Sequence, residues 1–149
     1  MELIKVNDFL GQEKIAIAGV SRQKGKFGNS IYKQLKKKGF NVVPLNPNMK
    51  TFDSDVCYHS IEELPDDIGG LLINTPAGSA SDLIEQAKKK GIKQIWLQQG
   101  AESPELIDRH KNGAINLIHN ECIFMYAKPI GFMHKIHRGI NKLAGKYPA

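Results

Sequence analysis

Short apolar runs alternate along this chain with stretches whose hydrophobic residues recur at helical spacing. The first run, Lys14 to Val20, is apolar on both faces, as in a strand buried between two layers of helices. Phe27, Ile31 and Leu35 then recur every four residues, with Lys33, Lys36, Lys37 and Lys38 gathered toward the end, where cations suit a helix dipole. Gly39 supplies the stop. Asn41 to Leu45 reads as a second strand, closed by the turn Asn46-Pro47-Asn48.

Residues 49–69 are the least regular part, with a short strand expected around Val56 to Tyr58 and a single helical turn at Ile61 to Leu64 before Pro65. Gly70 to Asn74 is another buried strand, stopped by Thr75-Pro76-Ala77-Gly78. Ser79 or Ser81 is expected to cap the following helix, whose apolar face is Leu83, Ile84 and Ala87 and which runs to Lys88, Lys89, Lys90 and Gly91. The pattern repeats: Gln94 to Leu97 as strand, Gln98 to Ala101 as loop, Ser103-Pro104 as a helix start with Leu106 and Ile107 inside, and Ala114 to Ile118 as the last strand. Ahead of all these, Val6, Phe9 and Leu10 have the spacing of one helical turn that covers an edge of the domain.

Strands alternating with helices at this spacing argue for an α/β protein, one doubly wound domain with a mostly parallel sheet. A length of 149 residues fits that single domain. In such folds ligands bind outside the carboxyl ends of the strands, near the switch in strand order. Four separated loops are thereby expected on one rim: Gly19 to Gly28, Asn46 to Asn48, Thr75 to Gly78, and Gln98 to Ala101.

Composition adds little to this picture, but charge changes it. With 41% hydrophobic and 24% charged residues the chain reads as an ordinary globular protein. The run Ile15 to Ala18 is far too short for a spanning helix or a signal segment, so a cytoplasmic protein without a membrane partner is expected. The net charge of +6 is concentrated at one end: residues 128–149 hold Lys128, Lys135, Arg138, Lys142 and Lys146 and no acid. The chain is therefore divided into a domain over residues 1–127 and a basic amphipathic C-terminal helix over 128–149. Phe132, Met133, Ile136, Ile140, Leu143 and Tyr147 share one face of that helix, which packs on the domain or on a second subunit, giving a homodimer. Aromatic residues interleaved with the charges are sparse, so no nucleic acid is expected.

Cys57 and Cys122 show no zinc-ligand spacing and read as reduced thiols. His134 and His137 stand three apart without a carboxylate, a solvated basic face rather than a metal site. His110 and His119 are expected at the surface. No catalytic group stands out.

The loop after the first strand carries the chemistry. It places backbone N–H groups and the positive end of a helix dipole together, which suits a phosphate, and adds Arg22, Lys24 and Lys26. The dinucleotide fingerprint G-x-G-x-x-G fails here, because Ser21 and Lys24 stand where glycines belong. The acid that holds a ribose in NAD enzymes is also missing from the end of the second strand, which reads Leu45-Asn46-Pro47-Asn48. Neither a Walker A loop nor a G-x-S-x-G elbow is present. What remains is a phosphate site, set against a tight turn whose basic residues stand in water.

Several segments at matching intervals carry a resemblance: Ile17-Ala18-Gly19-Val20-Ser21-Arg22 with Gly28, Gly39 through Pro47, Ile95-Trp96-Leu97-Gln98-Gln99-Gly100, and Asn120-Glu121-Cys122. From about Lys14 to Phe124 the chain resembles the CoA-binding Rossmann-like domains related to the N-terminal domain of the succinyl-CoA ligase α subunit, including the small stand-alone versions. The resemblance implies a CoA or acyl-CoA binding protein without its own catalytic domain. Gly19, Ser21, Arg22, Lys26 and Gly28, with Val20 and Phe27 in the same loop, would hold the phosphates. Asn46 and Pro47 would line the path of the ligand, and Thr75, Pro76 and the turn Gln98 to Gly100 would form the opposite wall. Gln23-Lys24 departs from the proline-containing turn often found in that loop. An NADP- or other nucleotide-binding enzyme or redox-sensing module is the alternative, since Arg22 suits any extra phosphate.

Overall fold

The computed structural model describes residues 2–129. The predicted tail helix, with His134 and His137, lies outside the described residues. The elements are α1 (Leu3–Leu10), β1 (Ile15–Ala18), α2 (Phe27–Lys37), β2 (Val42–Leu45), β3 (Thr51–Phe52), β4 (Asp55–Val56), β5 (Gly70–Ile73), α3 (Ala77–Lys90), β6 (Gln94–Gln98), α4 (Pro104–His110) and β7 (Asn116–Glu121), followed by a 3-10 turn at Ile123–Met125.

Five strands form one parallel sheet in the order β2-β1-β5-β6-β7. The order reverses between β1 and β5, which makes the crevice above their carboxyl ends the switch point. Alternation along the strands divides the core in two. Ile15, Ile17, Leu72, Trp96 and Ile118 face α1 and α2, together with Phe9, Ile31, Tyr32 and Leu35. Ala16, Ala18, Leu71, Ile73, Ile95 and Leu97 face α3 and α4, together with Ala80, Ile84, Ala87 and Leu106. Both faces of β1 and β5 are fully buried, so the strands are apolar throughout and the fold is the doubly wound, Rossmann-like α/β arrangement.

Trp96 anchors the first layer. Its ring is buried, lies 5.4 Å from that of Phe9 and 5.9 Å from that of Tyr126, and its Nε1–H donates to the Glu121 carbonyl at 3.2 Å. The helix ends follow local rules. Gly39 (φ +97°) closes α2, with Phe40 N–H on the Leu35 carbonyl (3.0 Å) and Gly39 N–H on that of Lys36 (3.1 Å). Ser103 caps α4 through the N–H of Leu106, ahead of Pro104.

Four features differ from the sequence expectation. Helix α3 begins at Ala77, not at a serine cap: Pro76 is the N-cap, and its carbonyl accepts from Ser79 and Ala80, both at 3.0 Å. The strand expected at Val56 to Tyr58 is instead a small antiparallel hairpin of β3 and β4, turning through Asp53 and Ser54 at φ +51° and +67°. Tyr58 adds only a bridge to Leu45. Strand β7 runs to Glu121, three residues beyond the expected end.

His110 is the fourth. It is fully buried, whereas His119 is half-buried. The Lys88 ammonium donates to His110 Nδ1 at 2.9 Å, Glu85 Oε1 lies 3.6 Å from the same atom, and Nε2 is buried without a partner among the described residues. Burial first, and the Lys88 charge next, hold the imidazole below its ordinary value of 6.5 against a smaller opposing pull from Glu85. A folded state that refuses a proton the unfolded chain accepts loses stability as pH falls. The contribution is complete above about pH 7 and is lost progressively below it, toward the depressed folded value. The urea midpoint is expected to fall between about pH 7.5 and 5.5, and to fall less in His110→Gln, which keeps an acceptor for Lys88 and does not titrate. Equal falls in the two proteins would place the pH dependence elsewhere.

Candidate functional site

The rim begins with two glycines. Gly19 follows β1 at φ +121°, where a Cβ would lie 2.5 Å from the Asn74 carbonyl oxygen. On Gly28, in the first turn of α2, a Cβ would lie 2.2 Å from the Gly19 carbonyl oxygen. The absence of both side chains brings the end of β1, the end of β5 and the start of α2 into backbone contact. That packing sets the first turn of α2, and with it the positive end of the helix dipole, against the loop.

Two asparagines then fix the loop. Asn29 Oδ1 accepts from Ser21 N–H at 2.8 Å, while its Nδ2 donates to the carbonyls of Ser21 (2.9 Å) and Gln23 (3.1 Å). Asn46 Nδ2 donates to the Val20 carbonyl at 2.7 Å, and its Oδ1 accepts from Asn48 N–H at 2.7 Å. The Arg22 guanidinium donates to the Asn48 carbonyl. The β1 and β2 loops are thus tied to each other.

The β3–β4 hairpin is held beside them by Tyr32 and Lys36. Asp55 accepts from the Tyr32 hydroxyl and from Lys36 Nζ, the latter at 2.7 Å, and the Tyr32 ring meets Phe52 edge-on at 5.2 Å. The Lys36 bond, then that of Tyr32, holds the Asp55 carboxyl below its ordinary range, while burial and Asp55 push the Tyr32 phenol far up. Burial likewise raises the Cys57 thiol, which keeps it protonated.

Among the described residues, three neighbouring cavities open along this frame. The central cleft, of about 480 Å³, lies over the switch point and is lined by Gly19, Val20, Asn46, Pro47 and Thr75, by His59 and Ser60, and by Ser79, Asp82, Leu83 and Gln86 of α3. Thr75 Oγ1 is buried there without a hydrogen-bond partner among the described residues. A second cavity shares Pro47 and His59 with it and is lined by Arg22, Asn48, Met49, Lys50 and Thr51. The third shares Gln86 and adds Glu62, Lys89 and Lys90.

Not every residue singled out from the sequence lines these cavities. Ser21 has its N–H on Asn29 and its Oγ on the N–H of Gln23 at 3.1 Å. Lys26 is the exposed N-cap of α2, and Phe27 is 46% exposed with its ring edge-on to Phe124 at 5.5 Å. Pro76 caps α3. Gln98 is buried, its Oε1 accepting from Ile123 N–H (3.0 Å) and its Nε2 donating to Cys122 Sγ (3.1 Å), so its side chain faces inward. Gly100 sits in the adjoining turn at φ +98°. In the central cleft the wall facing the β1 and β2 loops is built by α3.

Sequence reasoning missed the α3 stripe, His59, Ser60, Asn29 and Lys50. Leu83 packs against the core of Ala80, Ile84 and Ala87, as its place on the apolar face predicts, and being half-buried it also lines the cleft. Among the described residues no cluster of three His, Cys, Asp or Glu side chains is arranged to hold a metal, and no helix is long and apolar enough to cross a membrane.

Comparison with known proteins adds three findings. The sequence profile of the CoA binding domain matches residues 13–128. Among curated proteins the chain is similar to acetate–CoA ligase (ADP-forming) II of Archaeoglobus fulgidus, 33% identical over 90 residues that make up 59% of this chain and 13% of that enzyme. It is also similar to the α subunit of acetate–CoA ligase (ADP-forming) II of Pyrococcus furiosus, 25% identical over 77% of this chain and 28% of the subunit. The chain therefore spans well under a third of the length of these relatives. Among solved structures it is similar to a conserved hypothetical protein from Pyrococcus furiosus, with a TM-score of 0.73 and 34% identity, covering 77% of this chain and 99% of the other. A hypothetical protein from Pyrococcus horikoshii has a TM-score of 0.76 at 25% identity, covering 84% of this chain and 89% of the other.

Proposed function

The chain belongs to the CoA binding domain family, and from that premise we propose that it binds CoA or acyl-CoA across the β1/β5 switch point as a binding module, with no covalent step of its own. One observation carries the reading: a basic cavity adjoins a cleft, with Pro47 and His59 lining both, and the buried Thr75 hydroxyl of that cleft has no hydrogen-bond partner among the described residues. The residues fit the ligand. Arg22, Lys50, Lys26 and the first-turn N–H groups of α2 would hold phosphates, for which charge-assisted hydrogen bonds are the strong kind. The neutral remainder of CoA needs hydroxyls, amides and apolar surface, which the cleft offers through Thr75, Asn46, Val20 and Leu83. Bound CoA would supply a thiol, or a thioester, for a partner protein to act upon.

Calorimetry with CoA, acetyl-CoA, dephospho-CoA, NAD and NADP tests this. CoA and acetyl-CoA are expected to bind, dephospho-CoA more weakly for want of its 3′-phosphate, and NAD not measurably. Failure of both CoA species to bind, or tighter binding of NADP, would move the reading to a different nucleotide. Arg22→Ala and Lys26→Ala are each expected to weaken CoA about fivefold, within the range for a partly solvated charged hydrogen bond. Both side chains are exposed, so melting temperatures should stay within about 2 °C of the wild type. Unchanged affinity in both variants would remove the loop from the site.

A further inference from the structure

We infer, on the reading just given, that Asp55 is a positioning residue: it touches no ligand, but by fastening the β3–β4 hairpin to Tyr32 and Lys36 of α2 it holds Lys50 in the basic cavity beside Arg22. Lys50 immediately precedes β3, and its carbonyl accepts from Cys57 N–H at 3.0 Å, so the hairpin sets where Lys50 stands. The Lys50 side chain lines the cavity of Arg22, whereas Asp55 lines none of the three cavities. The hairpin is not secure by itself. Each strand has two residues, Val56 is 63% exposed and Phe52 is only half-buried. A strand pair this short is at best marginally stable in water.

Two attachments supply what the hairpin lacks. Beyond β4 the backbone of Tyr58 is tied to the end of β2, its N–H on the Pro44 carbonyl (3.0 Å) and its carbonyl on Asn46 N–H (2.9 Å). The turn end is tied by side chains one helical turn apart on α2. Asp55 accepts from the Tyr32 hydroxyl and from Lys36 Nζ at 2.7 Å, and the same ammonium donates to the Asp53 carbonyl at 3.3 Å. The opposite wall of the cavity hangs on the same helix, because Asn29 fixes the loop of Arg22 through its bonds to Ser21 and Gln23. The spacing of Arg22 and Lys50 is therefore set from α2, by Asn29 for one cation and by Asp55 for the other. Charge alone predicts the opposite effect for Asp55. A carboxylate on the hairpin that carries Lys50 repels a phosphate bound there, so its removal would tighten binding, whereas loss of a fastening weakens it.

Calorimetry of the full chain with CoA reads that sign. Asp55→Ala is expected to weaken CoA about fivefold, with Asp55→Asn, which keeps an oxygen acceptor without the charge, in between. Tyr32→Phe keeps the ring on Phe52 and loses one bond, and about a twofold loss is expected. Because Asp55 acts through Lys50, adding Asp55→Ala to Lys50→Ala should change affinity less than about twofold. The Cys57 amide reports the hairpin without any ligand: it should exchange with deuterium slowly in the wild type and faster in Asp55→Ala. Tighter or unchanged CoA binding in Asp55→Ala, a full fivefold loss on the Lys50→Ala background, or an equally protected Cys57 amide would each overturn the role of Asp55 while leaving CoA binding in place. Absence of CoA binding in the wild type would overturn both.

Discussion

Gly28→Ala is expected to destabilise the domain by about 2–4 kcal/mol and to lower its melting temperature by about 5–15 °C. Helix propensity argues the other way, because alanine in place of glycine inside a helix ordinarily gains about 1 kcal/mol. Here sterics win. The new methyl would stand 2.2 Å from the Gly19 carbonyl oxygen, a backbone atom that no side-chain rotation can move aside. Gly19 cannot retreat either, since it is itself held against Asn74. Gly78→Ala is the control. Gly78 lies in the first turn of α3, nothing stands within 4 Å of its added Cβ, and this substitution should be neutral or stabilising. Urea unfolding of both variants checks the contrast, and a Gly28→Ala protein as stable as the wild type would dismiss the proposed backbone contact.

Asn29→Ala is expected to cost about 2–3 kcal/mol and to weaken CoA more than tenfold. The side chain is 9% exposed and makes three hydrogen bonds to the loop backbone, so its removal orphans one N–H and two carbonyls. Asn29→Asp keeps the acceptor for Ser21 N–H and loses both donors, which places it between alanine and the wild type. The Ser21 amide reports the loss directly: it should exchange slowly with deuterium in the wild type and fast in Asn29→Ala. A protected Ser21 amide in the alanine variant would mean that something else holds the loop.

The sheet was legible in the sequence because burial on both faces leaves a direct mark. The apolar runs that begin near Ile15, Val42, Gly70 and Gln94 are too short for buried helices and too apolar for loops, and Gly39 and Ser103 mark helix ends through local chemistry. The β3–β4 hairpin left no such mark. Its strands are two residues each, too short for a period, and its turn uses Asp53-Ser54 without a glycine. The burial of His110 was not legible, because its sequence neighbours, Arg109 and Lys111, are those of an exposed helix end, while its Lys88 partner comes from α3. In the site, the glycines and strand ends could be located from sequence and the α3 wall could not. Ser79, Asp82 and Gln86 form the same polar stripe whether a helix faces water or a ligand. Gln98 shows the converse: a polar residue at a strand end reads as rim, yet the 3-10 turn after Cys122 needs its oxygen inside.

The placement of β1 between β2 and β5 determines when, during synthesis, its pairing can be completed. Ile15 pairs with Val42 on one side and with Gly70 on the other, the second partner arriving about 55 residues after the first strand leaves the ribosome. At roughly 5–20 residues per second, that is about 3–11 s during which one edge of β1 has its backbone N–H and C=O groups unmatched. The strand on which the site is built is thus also the interior strand of the sheet that waits longest for its second partner.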